Sequence, residues 1–126
     1  EGGVRYGAHT DFQGFTILLP SEKGGLEVWH DGKWISAPCI PGAFIVNAGD
    51  LIQRWTNDRW KSVLHRVMRV GEGGSEDRLS VVLFTGPKKN TVVDPRQLLE
   101  AGGAEARYPA TTAGEHLQEK LRKISN

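Results

Sequence analysis

The chain has little sulfur: Cys39 and Met68 are its single cysteine and single methionine. One thiol excludes an internal disulfide and any zinc knuckle built on cysteines, and makes a reducing, cytoplasmic location the expectation. An excess of charge is also missing. Sixteen basic and 15 acidic residues leave a net +1, which argues against a nucleic-acid partner recognised through phosphate neutralisation. No apolar run approaches the roughly 18 residues needed to cross a bilayer, and no charged-then-apolar leader opens the sequence, so no membrane partner is expected. What is plentiful is glycine, 16 residues among 126, set in many turn dipeptides. Hydrophobic and charged fractions of 38% and 25% are those of a globular domain with a core of its own.

Turn density and alternation predict a mainly β chain. Strands are expected at Val4–Asp11 and Phe15–Pro20, on either side of "FQG". Leu26–Trp29 and Lys33–Ala37 flank Asp31-Gly32, a pair suited to a tight hairpin because both residues tolerate positive φ. A strand at Ala43–Asn47, a turn at Ala48-Gly49-Asp50 and a further short strand follow. "KSVLHRVMRV" reads as one long strand, "EGGSED" as a loop, and "RLSVVLFTGP" as an apolar strand covered on both faces. Beyond Pro87 the pattern turns irregular, with a short helix at Pro95–Ala101. A last helix starts at the N-cap Thr112, and its Leu117, Leu121 and Ile124 form one apolar stripe. Seven or eight short strands with a helical tail predict an antiparallel barrel or jelly roll. The expected division is a core over 1–95 and a C-terminal helical extension over 96–126.

Chemistry concentrates in a few positions. In an extended chain residues i and i+2 share a face, so "HTD" sets His9 and Asp11 side by side as two ligands for a divalent metal. Of the other histidines, His30 sits at a hairpin turn facing solvent, and His116 on the tail helix reads as a surface or packing residue. His65 is mid-strand, on the face it shares with Val63 and Val67. Two imidazoles and one carboxylate leave the opposite face of an octahedral ion open, the facial triad of non-haem Fe(II) oxygenases. Thirteen residues after His65, Arg78 and Ser80 in "RLS" again share a face, with Val82 and Phe84 continuing inward. A guanidinium beside a hydroxyl clamps a carboxylate.

Other residues read as scaffold. Gly49-Asp50 and Asn57-Asp58 suit turns, with Asp50 also a candidate partner for a ligand histidine. The four tryptophans suit packing, Trp55 being the one nearest the strand that carries His65. Arg66 points away from His65 and suits a structural ion pair. Cys39 has no flanking base to activate it. A hydrolase using Ser80, His65 and Asp11 lacks the Gly-x-Ser-x-Gly elbow.

Taken together, "HTD", "LHRV" 54 residues after Asp11, and "RLS" resemble the core of the isopenicillin N synthase-like branch of Fe(II)/2-oxoglutarate-dependent dioxygenases. The intervening "NAGD" and "TNDRWKSVLHRV" strengthen the likeness, which runs from about Val4 to Pro87 and more weakly through "YPATTAGEHLQEKL". The resemblance implies a double-stranded β-helix, the jelly-roll barrel. It implies Fe(II) held by His9, Asp11 and His65, 2-oxoglutarate held at its far carboxylate by Arg78 and Ser80, and dioxygen and a small organic molecule as the other reactants. Hydroxylation is the commonest outcome in such families. Relatives carry an N-terminal region of comparable size, so the chain reads as a fragment lacking it. That region supplies a tyrosine to the co-substrate, a place Tyr6 does not fill if strand alternation turns it to the other side. Two alternatives stand beside this reading. One is a related iron oxidase that does not use 2-oxoglutarate, and the other is a catalytically silent module of the same fold.

Overall fold

A computed structural model describes residues 3–71, 77–101 and 103–125. Among the described residues there are nine strands and two α-helices: β1 (Val4–His9), β2 (Phe15–Leu19), β3 (Leu26–His30), β4 (Lys33–Ser36), β5 (Ile45–Ala48), α1 (Asp50–Trp55), β6 (His65–Met68), β7 (Val81–Phe84), β8 (Val92–Val93), β9 (Thr111–Thr112) and α2 (Ala113–Ile124). The first seven strands form two antiparallel sheets, ordered β1-β6-β3-β4 and β5-β2-β7, and β8 pairs with β9. Strands consecutive in sequence mostly fall in different sheets, as in the expected jelly roll.

Local chemistry fixes the connections. The β3–β4 hairpin turns on Asp31 and Gly32 at φ +47° and +78°, the left-handed pair its sequence calls for. Gly49 caps α1 where the chain crosses the loop after β1. A Cβ there would meet the Gln13 carbonyl oxygen at 2.7 Å, while the Gly49 N–H donates to Gly14 O at 2.7 Å and the Asp50 N–H to Asp11 O at 2.8 Å. At the other end, Thr112 and Glu115 form a reciprocal capping box that starts α2.

Several expectations are corrected. Residues 50–55 are helix α1, not a further strand, because three backbone N–H groups (Asp50, Leu51 and Ile52) are taken up by carbonyls of the loop after β1. The predicted long strand around His65 shortens to β6. The apolar run after Arg78 yields only β7, whose four residues are all exposed rather than covered on both faces. Among the described residues β7 pairs with β2 alone and forms the edge of its sheet. Pro95–Leu98 is a 3₁₀ turn started by the Asp94 side chain. The "EGGSED" loop lies, apart from Asp77, outside the described residues. In α2 the buried residues are Ala113 and His116, whereas Leu121 and Ile124 are exposed. A dry cluster of Leu51, Val93 and Ala113, with Trp55 against it, joins α1, β8 and α2. Barrel and tail therefore share packing through α1.

Candidate metal centre

His9 and His65 are direct partners in the β1–β6 ladder, which sets their rings 4.3 Å apart between centroids. Only a ring N–H can approach a carbonyl oxygen this closely. His9 Nδ1 therefore donates to Gly7 O at 2.8 Å and His65 Nδ1 to Val63 O at 3.0 Å. Both Nε2 lone pairs are left for a ligand, the arrangement found for metal-binding histidines. Asp11, two residues past His9, is buried. Its Oδ1 lies 3.8 Å from His9 Nε2 and 3.7 Å from His65 Nε2. One donor atom from each of the three residues falls within 4.8 Å of the others. Two neutral imidazoles and a carboxylate form a donor set that fits a first-row divalent ion such as Fe(II).

These groups open on a cavity of about 400 Å³. Its walls include Leu18, Leu26, Val28, Val63 and Val67, with Arg78 and Ser80 in the same lining. The Arg78 Nε donates to Gly24 O at 2.7 Å and its Nη1 to Ser80 Oγ at 3.2 Å. One backbone carbonyl thus aims the guanidinium, and the hydroxyl sits beside it. Burial, and secondarily the charge of Arg5, hold the Arg78 pKa below the usual arginine value. The group remains cationic at neutral pH.

All five residues singled out from the sequence line this one cavity. Tyr6 lines it too, contrary to expectation, and its ring meets that of His9 edge-on at 4.6 Å. The cause is irregular register. The four residues of β1 from Tyr6 to His9 span three of β6, and a second shift lies between Val4 and Tyr6. A bulge of this kind cancels simple alternation.

Two polar contributors went unnoticed in the sequence. Thr16 Oγ1 and Asn47 Nδ2 donate to Asp11 Oδ2 at 2.5 and 2.8 Å. Thr16 sits in no pattern that sequence alone marks, and Asn47 opens the "NAGD" stretch, which carries the resemblance without giving that residue a role. Asp50, the residue considered as a histidine partner, instead pairs with Lys120 at 2.6 Å and accepts from Thr10. His116 is buried rather than superficial, 5% exposed between α1 and α2. The remaining scaffold readings match. His30 is exposed beside Asp31. Arg66 pairs with Glu27 at 2.7 Å and stacks over Trp34. Trp55 donates to Gln97 and packs on the α1–β8–α2 cluster, away from the cavity.

A jelly roll with a two-histidine, one-carboxylate site beside an arginine–serine pair defines a class, the mononuclear non-haem iron oxygenases. The chain belongs to the 2OG-Fe(II) oxygenase superfamily, whose family model matches residues 2–87. It is 41% identical to 2-oxoglutarate-dependent dioxygenase 19 of Oryza sativa subsp. japonica over 103 residues, 82% of this chain and 30% of that protein. Identity to feruloyl CoA ortho-hydroxylase 1 of Arabidopsis thaliana is 35% over 122 residues, 95% of this chain and 33% of the relative. Among solved structures, a rice dioxygenase for auxin oxidation superposes with a TM-score of 0.83 at 30% identity, covering 98% of this chain and 42% of that one. The structure of JOX2 with 2OG, Fe and JA gives 0.79 at 36% identity, covering 94% and 34%. The chain therefore spans about a third of the length of the curated relatives it matches.

Proposed function

We propose that this chain carries the catalytic core of an Fe(II)-dependent dioxygenase that couples oxidative decarboxylation of 2-oxoglutarate to hydroxylation of a small organic substrate. The supporting observation is the convergence of Asp11 Oδ1 with both histidine Nε2 atoms in the cavity that also holds Arg78 and Ser80. In this reading His9, Asp11 and His65 hold Fe(II), and Arg78 with Ser80 neutralises and hydrogen-bonds the distal carboxylate of 2-oxoglutarate. Bound Fe(II) supplies the redox chemistry by which 2-oxoglutarate, dioxygen and a C–H bond become succinate, carbon dioxide and an alcohol.

The residues provide geometry and exclusion. The carbonyls of Gly7 and Val63 hold the two imidazoles in one tautomer and one orientation, so both rings present Nε2 to an entering ion. Asp11 cancels part of the ion's charge, and its burial strengthens that attraction. The Gly24 carbonyl keeps the Arg78 fork facing the cavity, where a carboxylate gains two parallel hydrogen bonds. Aliphatic side chains on the cavity wall would limit the water that reaches a bound ion. A lone thiol, Cys39, supports a cytoplasmic location.

The test is anaerobic titration of the whole protein with Fe(II) and then 2-oxoglutarate, followed by dioxygen. A visible metal-to-keto-acid charge-transfer band and 2-oxoglutarate-dependent succinate formation are expected. Metal binding with no such band, or oxygen uptake that ignores 2-oxoglutarate, overturns the proposal.

A further inference from the structure

We infer that Thr16 and Asn47 are positioning residues that keep Asp11 a one-oxygen ligand; the inference rests on reading His9, Asp11 and His65 as the metal site. A carboxylate offers about four lone-pair sites, two on each oxygen. Both sites on Asp11 Oδ2 are engaged, one by the Thr16 hydroxyl at 2.5 Å and one by the Asn47 amide at 2.8 Å. Oδ1 is the oxygen that approaches the two imidazoles. The pair is built by the sheet rather than by a loop, since Thr16 in β2 and Asn47 in β5 are direct antiparallel partners. Thr16 is itself buried. The Asp50 N–H fixes the Asp11 backbone carbonyl at 2.8 Å, so the carboxylate is held from both ends.

The consequence is a count of coordination positions. Two imidazoles and one oxygen take three positions of an octahedral ion and leave three. A keto acid chelating through two atoms, with dioxygen, needs all three. A carboxylate free to turn its second oxygen onto the ion takes a fourth and competes with the chelate. The two donors, which also line the cavity, therefore act on the co-substrate through Asp11.

The experiment compares Thr16→Val, Asn47→Leu, the double variant and Thr16→Ser in the whole protein, after circular dichroism has established folding. Co(II) titration reads metal affinity, and the anaerobic Fe(II) charge-transfer band reads 2-oxoglutarate affinity. The Val and Leu variants are expected to weaken 2-oxoglutarate chelation about tenfold, the order of one lost hydrogen bond to a charged group. Metal affinity should fall far less, and Thr16→Ser should restore parental behaviour. Unchanged 2-oxoglutarate affinity, parallel loss of metal and co-substrate, failure of serine to rescue, or loss of folding in every variant overturns the inference. Absence of the charge-transfer band in the parent protein is a different result and overturns the reading of the site itself.

Discussion

Among the described residues Asp11 is the carboxylate turned toward both His9 and His65, and the imidazole pair alone offers a divalent ion no negative charge. Asp11→Ala is expected to abolish measurable Fe(II) binding and turnover while leaving the fold, which isothermal titration and circular dichroism check together. Arg78 acts at the other side of the cavity. Arg78→Lys keeps the charge but loses the planar fork, so the KM for 2-oxoglutarate should rise at least about tenfold with Fe(II) affinity unchanged. Equal loss of metal affinity would place Arg78 in the scaffold. At this scale the sequence was legible where spacing and chemistry coincide: "HTD", His65 and "RLS" name five side chains of the cavity. It was silent on the roles of Thr16 and of Asn47 in "NAGD", since a threonine and an asparagine in strands carry no mark of what they face. Tyr6 was misplaced because bulges in β1 depend on the partner strand.

At the scale of elements, the helices carry the clearest expectations. The Thr112 hydroxyl accepts from the Glu115 N–H, and the Glu115 carboxylate accepts from the Thr112 N–H. Thr112→Ala should therefore cost about 1 kcal/mol, seen as a lower denaturation midpoint with an unchanged m-value. His116 lies where α2 meets α1. Burial, then Lys120 and Arg54, press its pKa down against the opposing pull of Asp50 and Glu119. The folded protein thus keeps the ring neutral at a pH where the unfolded chain already binds a proton. Stability is whole above the ordinary histidine value near 6.5 and falls as pH drops below it, until the depressed folded value is passed. Comparing His116→Gln with the parent across pH 7 to 5 should show that part of the loss removed, provided the variant folds; equal slopes would count against it. The α2 boundaries were readable because a capping box is a local signal. Helix α1 was not, because the loop after β1, distant in space until the chain folds, receives its first N–H groups.

For the whole molecule, the surface matters as much as the cavity. All four residues of edge strand β7 are exposed, and Leu19 in β2 and Val46 in β5 of the same sheet are exposed as well. An apolar, unpaired strand edge is a template for association. The 126-residue chain alone should self-associate in sedimentation velocity at tens of micromolar, and Leu83→Lys should reduce this without altering Fe(II) binding. A monodisperse parent would remove the edge from consideration. The jelly roll itself was legible from turn density and short alternating runs, yet strand ends were not, as with the long strand expected around His65 that closes to four residues.

The sequence by itself determined the kinds of chemistry present: two imidazoles, a carboxylate, a guanidinium and a hydroxyl at spacings that suit strands. It also determined the hairpin at Asp31-Gly32 and the start of α2, because turn and capping preferences act within a few residues. Tertiary structure alone decided that β1 and β6 pair with His9 opposite His65, and that one oxygen of Asp11 faces them while the other faces Thr16 and Asn47. Those outcomes are set by register between residues up to 64 positions apart in the chain, and register is a property of packed sheets, not of any single segment.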